Sequence, residues 1–428
     1  EKITVIKTKN IRSLLSEIAS KFYKLKPKNI IAVTGTNGKT SVADFFFQIL
    51  NMNNIPSSSI GTLGIKYNNK IIETKLTTPD TILLHKTLEK LKKNNIDNVI
   101  IEASSHGLEQ SRLDHINFKA GIFTNFSQDH LDYHKTMKAY LNAKLILFSK
   151  LLPGNAHIIS DKFNKEFPIL EKISKKKKLK FLDIKNTIEL INDFPKTLTG
   201  DFQKKNLSMA ILAAQLCGLR SNKILKKLKK IKNINGRLEL IRKFPNNIKV
   251  FIDYAHTPEA LSEVIKSIKQ KFKNNISLVF GCGGERDLKK RPLMAKIAKL
   301  NCKKIYVTDD NPRKENPAKI RREIINNLRG ATYFDIGNRS QAIKKAILNA
   351  ELDEIILIAG KGHERYQDYG NKIIFTSDKK IIKNLKINKI KIDKRKQNFI
   401  SNLKILNQIT KNKKIYKFNG LTLNSREV

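Results

Sequence analysis

The chain has 428 residues, too many for one compact core, so two or three domains are expected. Apolar residues make up 40% and charged residues 29%, the balance of a soluble enzyme. No stretch reaches the roughly 20 uninterrupted apolar residues of a membrane helix, so no membrane span is expected. The 84 Lys and Arg against 38 Asp and Glu leave a net charge of +46. Lys runs through the whole chain beside abundant Asn and Ile, with no Trp, which fits an A/T-rich coding sequence. The densest run, "EKISKKKKLK" (171–180), has no interleaved aromatics, so no nucleic-acid partner is expected, while an acidic substrate would benefit from the field. Cys217, Cys282 and Cys302 form neither a metal pattern nor a disulfide framework, and a cytoplasmic protein is expected. The opening "EKITVIKTKN" has no signal-peptide core and no initiator Met; a processed chain or a fragment is expected.

In chain order, "NIIAVTG" (29–35) reads as a buried strand followed by a helix through Gln48. "DNVIIEAS" (97–104) and "KAGIFTN" (119–125) read as further buried strands. Residues 155–200 are Lys-rich and weakly patterned. "VFIDYA" (250–255), "ISLVFGC" (276–282), "KIYVTDD" (304–310) and "EIILIAG" (354–360) are strands again, separated by amphipathic stretches such as "PEALSEVIKSIKQKF" (258–272). After about residue 384 the rhythm stops. Strands alternating with helices predict an α/β fold with mainly parallel sheets, and nearly every polar motif follows a strand, where such sheets bind ligands.

Gly35-Thr36-Asn37-Gly38-Lys39-Thr40-Ser41 joins the first strand to its helix. Glycines admit backbone N–H groups to phosphate oxygens, and the helix N-terminus favours negative charge. Lys39 would reach the terminal phosphates and Thr40 would ligate magnesium. The common phosphate loop has a Gly where Val33 stands, so this loop is shorter.

The short loop resembles that of the Mur ligases and their folylpolyglutamate synthetase relatives. Eight further motifs follow in that family's order: "TTPD" (77–80), "EASSHGLEQSR" (102–112), "TNFSQDHLDYH" (124–134), "YLNAKLILF" (140–148), "GRLE" (236–239), "DYAHTPEAL" (253–261), "FGCGGERD" (280–287) and "TDDNPR" (308–313), with "AGKGHERYQ" (359–367) closing the series. The resemblance covers roughly residues 1–384. It implies a P-loop-type central domain (28–235) and a Rossmann-like α/β C-terminal domain (236–384), preceded by the remnant of a uridine-binding domain and its linker helix (1–27). It also implies ATP-dependent addition of meso-2,6-diaminopimelate to UDP-N-acetylmuramoyl-L-alanyl-D-glutamate through an acyl phosphate.

By the same resemblance, Thr40, Glu102, His130 and Lys144 (as a CO2-derived carbamate) hold magnesium, and Lys39 joins the last three as catalytic. Asn206, Arg237 and His256 contact ATP. Thr77, Thr78, Ser104, Gln110 and Arg112 contact the UDP-muramoyl dipeptide, with Leu76 departing from the family's usual Asn. Arg286, Asp310, Asn311, Pro312, Arg313, Gly360 and Glu364 contact diaminopimelate. Arg313 would bind the second carboxylate, which lysine lacks, and Glu364 the distal ammonium. His106 and His134 are expected to be structural or orienting, and a monomer is expected. "LNQITKNKKIYKFNGLTLNSREV" (406–428) resembles the opening of another Mur ligase, so a second ligase is expected to begin near residue 390. A folylpolyglutamate-type ligase, a nucleic-acid-dependent NTPase and an inactive binding module are the competing readings.

Overall fold

The computed structural model describes residues 7–386; the expected start of a second ligase lies outside the described residues. Two sheets organise the chain. The first contains β1 (Asn29–Thr34), β2 (Ser57–Gly61), β3 (Gly64–Tyr67), β4 (Lys70–Ile72), β5 (Asn98–Glu102), β6 (Ala120–Phe123), β7 (His157–Ser160) and β8 (Lys180–Asp183). Their spatial order is β4-β3-β2-β5-β1-β6-β7-β8. All pairings are parallel except those of β3, which is antiparallel to both β2 and β4.

Every residue of β1 and β5 is buried, as expected of central strands covered on both faces. One face packs on the helix Lys39–Met52, whose Phe45, Phe46, Ile49 and Leu50 share a cluster with Leu207, Ile211 and Ala214 of the helix Asp201–Leu216. The other face packs on Leu84, Leu88 and Leu91 of the helix Thr81–Lys93 and on Leu147 and Phe148. Asp80 caps that helix by accepting from Leu83 N at 2.9 Å.

The second sheet contains β9 (Glu239–Lys243), β10 (Lys249–Ile252), β11 (Ile276–Phe280), β12 (Lys304–Val307), β13 (Tyr333–Asp335) and β14 (Ile355–Ile358), in the order β13-β12-β11-β14-β10-β9. Only β9 runs antiparallel to its neighbour. The helix Pro258–Phe272 coincides with the amphipathic stretch seen in the sequence; Thr257 caps it and Pro occupies its first turn. A small hairpin of β15 (Tyr366–Asp368) and β16 (Ile373–Phe375) follows. Among the described residues no helix is long and apolar enough to cross a membrane.

The expected α/β class with mainly parallel sheets is what the structure has. The weakly patterned stretch 155–200 is nonetheless ordered, contributing β7, β8 and the helix Phe167–Lys177. Edge strand β8 fully buries none of its four residues, and its two apolar ones, Phe181 and Leu182, form too short a run to mark a strand.

One buried ion pair ties the end of the second unit to its sheet. Arg339, 1% exposed, donates from Nε and Nη2 to the two oxygens of Asp378 at 2.8 and 2.7 Å, and from Nη2 to Ala359 O at 3.0 Å. Removing one partner of such a pair strands the other charge. Arg339→Met is expected to cost about 3–5 kcal/mol of stability, read as a lower urea midpoint. Asp378→Leu added to Arg339→Met should recover much of that loss.

Candidate active site

The switch in strand order around β1 opens a crevice at the carboxyl ends of β5, β1 and β6. Gly35 (φ +145°) and Gly38 (φ +87°) shape the loop above β1. A Cβ on Gly35 would overlap Thr124 Oγ1, and one on Gly38 would lie 2.6 Å from Asn206 Oδ1. The segment after β6 braces this loop: Thr124 Oγ1 donates to Asn37 O (2.6 Å), Asn37 N to Asn125 Oδ1 (2.9 Å) and Tyr140 OH to Thr36 Oγ1 (3.3 Å). No side chain caps the helix that opens at Lys39, so its first N–H groups are available to an anion. Ser41 is buried in that first turn.

Two lysines meet on this loop. Lys39 Nζ donates to Gly35 O and Thr36 O, both at 2.8 Å, and Lys144 Nζ donates to the same Gly35 O at 2.7 Å. Lys144 lies on the helix Met137–Ile146, is 1% exposed, and has its Nζ 4.3 Å from the centre of the Tyr140 ring. Burial pushes both ammonium groups down from the ordinary lysine value. Lys144 falls well below it, with the Lys39 charge adding to the shift.

Glu102 ends β5 beside Val33 of β1. Its Oε2 accepts from Thr40 Oγ1 (2.9 Å) and Thr62 Oγ1 (3.1 Å), and its Oε1 from Thr62 N (2.9 Å). From the second unit, Arg237 Nη2 donates to Thr40 Oγ1 at 3.3 Å while its guanidinium lies 4.3 Å from the Tyr254 ring centre. Beside Glu102, Thr78 Oγ1 donates to Glu102 O (2.7 Å) and stands 2.9 Å from Ser104 Oγ. Arg112 donates from Nη1 to Thr78 O (2.8 Å) and from Nη2 to Gln110 Oε1 (2.5 Å), and Thr77 Oγ1 is 3.2 Å from Thr62 Oγ1.

His130 has φ +54°, and its N donates to Asp129 Oδ1 at 2.9 Å. Burial lowers the His130 imidazole to about 3, so it is neutral at physiological pH. Its Nδ1 is buried with no hydrogen-bond partner, as suits a group awaiting a ligand. Asp129 looks across to the second unit, 3.3 Å from His256 Nε2 and 3.9 Å from Lys290 Nζ. Burial opposes its ionisation, but His130, His256 and Lys290 hold its carboxyl well below the usual range. Gln128 Nε2 donates to Asp287 Oδ2 at 2.7 Å, and Arg286 Nη1 lies 3.4 Å from Asp132 Oδ2. His106 stacks edge-on against His130 at 4.9 Å, and His134 Nε2 lies 2.9 Å from Ser105 Oγ.

A second polar cluster follows β12 and β14. Arg313 (φ +52°) donates from Nη1 to Gly284 O at 2.6 Å and from N to Asp368 O at 2.9 Å. Gly283 lies between the two arginines: a Cβ there would be 3.0 Å from Arg313 Nη1 and 3.7 Å from Arg286 Cγ. Asn311 Nδ2 donates to Glu364 Oε2 at 3.0 Å. Pro312 is buried in the turn, and a Cβ on Gly360 would lie 2.6 Å from Asp310 Oδ2.

The structure therefore gathers the expected residues into three groups. Lys39, Thr40, Glu102, Lys144, Asn206 and Arg237 surround the loop; Thr77, Thr78, Ser104, Gln110 and Arg112 lie beside it; Arg286 to Glu364 form the cluster across the cleft. His130 and His256 meet at Asp129 between the two units. Sequence reasoning assigned no role to Asp129, Thr62, Lys290 or Lys361. Asp129 and Lys361 sit inside recognised motifs, whereas Thr62 lies in a hairpin turn that leaves no motif.

A phosphate loop in one α/β unit, facing a guanidinium and carboxylate cluster in another, defines an ATP-dependent ligase that joins an acid to an amine. Residues 33–191 match the Mur ligase middle domain and residues 236–362 the Mur ligase glutamate ligase domain, and the chain belongs to the Mur ligase family. It is 39% identical over 407 residues to a UDP-N-acetylmuramoyl-L-alanyl-D-glutamate–2,6-diaminopimelate ligase of Rickettsia montanensis, covering 89% of this chain and 84% of that one. A ligase of the same name from Brucella melitensis is 37% identical over 399 residues, covering 88% and 81%. A solved structure under that name aligns with TM-score 0.57 and 29% identity over 87% of this chain and 81% of that one. A Mycobacterium tuberculosis folylpolyglutamate synthase complexed with ADP and AMPPCP shares the fold, with TM-score 0.65, 16% identity, and 82% and 92% of the two chains covered.

Because Gly35 tolerates no side chain against Thr124, Gly35→Ala is expected to weaken ATP binding at least tenfold. Titration calorimetry with ATP and magnesium checks this, with the melting temperature as a control for folding.

Proposed function

We propose that the chain uses ATP to join the amine of meso-2,6-diaminopimelate to the D-glutamate γ-carboxylate of UDP-N-acetylmuramoyl-L-alanyl-D-glutamate, a step in peptidoglycan precursor synthesis. The observation that carries this reading is the placement of Arg313, Asn311 and Glu364 in one cluster across the cleft from Lys39 and Glu102. Within it, residues 28–235 are the ATP-binding unit and 236–384 the amino-acid-binding unit. One chain supplies both sides of the cleft, so the reading needs no second copy, and an ATP-consuming reaction of this kind fits the cytoplasm.

Phosphate oxygens of ATP take the free N–H groups at the head of the Lys39–Met52 helix, and Lys39 turns from the loop carbonyls to the γ-phosphate. A γ-carboxylate oxygen attacks the γ-phosphorus, the bond to ADP breaks, and an acyl phosphate forms. The amine then attacks the acyl carbon, phosphate leaves with the bonding pair, and the new amide loses one proton. The residues align the partners and spread the developing charge; no covalent enzyme intermediate is required. Arg112 and the Thr78 and Ser104 hydroxyls hold the dipeptide, Arg237, Asn206 and His256 the nucleotide, and Arg313 and Glu364 the far end of diaminopimelate.

Among the described residues no group of three or more His, Cys, Asp and Glu side chains forms a metal site unaided. The donors fit magnesium nonetheless: Thr40 Oγ1 and Glu102 Oε2 are hard oxygens 2.9 Å apart beside the loop, leaving further positions to phosphate oxygens. Thr40, Glu102 and His130 would hold the ion, which supplies neutralisation of phosphate charge. Lys144 suits conversion to a carbamate, because burial favours its neutral amine. That amine adds to the carbon of CO2 and releases one proton, giving an anionic oxygen ligand beside Lys39.

Phosphate release from ATP with the UDP-muramoyl dipeptide tests the function. Release with meso-diaminopimelate and little with L-lysine is expected; release with lysine alone would overturn the specificity. Arg313→Ala should lose at least tenfold in kcat/KM for diaminopimelate. For Lys144, ¹³C NMR after exposure to labelled bicarbonate should show a carbamate carbonyl that Lys144→Ala lacks.

A further inference from the structure

Glu364 is not a free carboxylate waiting for an ammonium group. Lys361 Nζ donates to its Oε2 at 2.7 Å, and the same Nζ donates to Asn311 Oδ1 at 3.0 Å. Asn311 Nδ2 closes the triangle on Glu364 Oε2, and Tyr254 OH points to Oε1 at 3.4 Å. Lys361 is 1% exposed, so it cannot touch a substrate that enters the cleft. Its charge, however, is fixed one hydrogen bond from the group that would bind the amino acid's far end.

The consequence is a matter of charge balance. Lys361 offsets the negative charge of Glu364, while Arg313 remains on the other side of the cluster with only carbonyl partners, Gly284 O and Asn311 O, on its Nη1. The distal end of diaminopimelate is a zwitterion: its carboxylate can meet Arg313 while its ammonium shares Glu364. The distal end of lysine is a bare cation, and it would meet a carboxylate whose charge Lys361 already offsets, beside the Arg313 guanidinium. Like charges held close in a partly dry site repel strongly, and discrimination often rests on such a repulsive element as much as on an attractive one.

We propose that Lys361 is a specificity-determining positioning residue, which by occupying Glu364 makes the site accept a zwitterionic amino-acid terminus and reject a purely cationic one. This rests on the ligase reading above. The test compares kcat/KM for meso-diaminopimelate and L-lysine in the full chain, in Lys361→Met and in Lys361→Arg, with melting temperatures for all three. The expected result is a diaminopimelate-to-lysine ratio at least tenfold lower in Lys361→Met, through a gain with lysine as well as a loss with diaminopimelate. The ratio should stay within threefold of the unaltered protein in Lys361→Arg, which keeps the charge. Equal losses with both amino acids and an unchanged ratio in Lys361→Met would overturn the proposal, leaving Lys361 a structural residue. So would a folded Lys361→Arg whose ratio collapses. If Lys361→Met does not fold, Lys361→Arg decides by the same criterion. An unaltered chain that uses lysine and not diaminopimelate would instead overturn the diaminopimelate specificity on which this inference rests, while leaving the ligase chemistry in place.

Discussion

Two lysine side chains converge on one carbonyl oxygen, that of Gly35, and much of the central unit is arranged around that crowding. Lys39 approaches it at 2.8 Å and Lys144 at 2.7 Å, in a place dry enough to push both amines toward neutrality. A single carbonyl dipole cannot balance two buried charges. Nearby carboxylates, Glu102 and Asp129, offset only part of the burial, and the candidate reaction adds further negative charge as phosphate. The loop geometry follows from the same need. Gly35 and Gly38 take conformations that bring backbone N–H groups forward, and the helix from Lys39 begins without a side-chain cap.

The rest of the site depends on a second unit reaching that loop. Many of the contacts crossing between them are polar: Gln128 with Asp287, Asp129 with His256 and Lys290, Asp132 with Arg286, and Arg237 with Thr40; Phe202 of the Asp201–Leu216 helix adds an apolar one on the core of the second unit. Asp129 is the pivot, because it also fixes the backbone of His130 in its positive-φ conformation. Bringing the units together thus orders a residue of the phosphate side through charges of the amino-acid side. Polar contacts of this kind separate more readily than apolar ones, as suits an enzyme that must admit three substrates.

The sequence displayed the parts of this arrangement that burial and backbone constraint write into residue type. Continuous apolar runs marked β1, β5, β6 and the strands of the second sheet, because parallel strands covered on both faces need no polar alternation. The glycine turn and Lys39-Thr40 marked the phosphate loop, since those residues serve phosphate wherever they occur. Edge elements were illegible for the complementary reason. Strand β8 buries nothing fully, β4 is exposed throughout, and each offers only two apolar residues, too few to set a strand apart in a chain so rich in Lys and Ile. Lys144 and Lys361 show the same limit for single residues. Each is one lysine among many in the sequence, and only the fold shows that both are 1% exposed. Thr62 carried no signal at all, since its role comes from a tight approach of the β2–β3 turn to Glu102, where Gly61 has no room for a side chain.

Chemistry and selectivity occupy different units, and the physical reason lies in what each must hold constant. In the proposed reaction, phosphoryl transfer demands fixed positions for Lys39, Thr40 and Glu102, whatever amine is used. Those residues belong to β1, β5 and one helix, packed within two large apolar clusters. On the proposed reading, choice of the amine depends on charges around Arg313 and Glu364, which sit in turns after β12 and β14 where a substitution disturbs little of the core. A folylpolyglutamate synthase with 16% identity and TM-score 0.65 keeps the same architecture, as expected if the scaffold is tied to positioning and the turns are free to vary. On that view the buried pairs within the turns carry more of the specificity than their exposed charges do. An exposed charge can be screened or moved, whereas Lys361 against Glu364 is held in place by the same packing that excludes water from it.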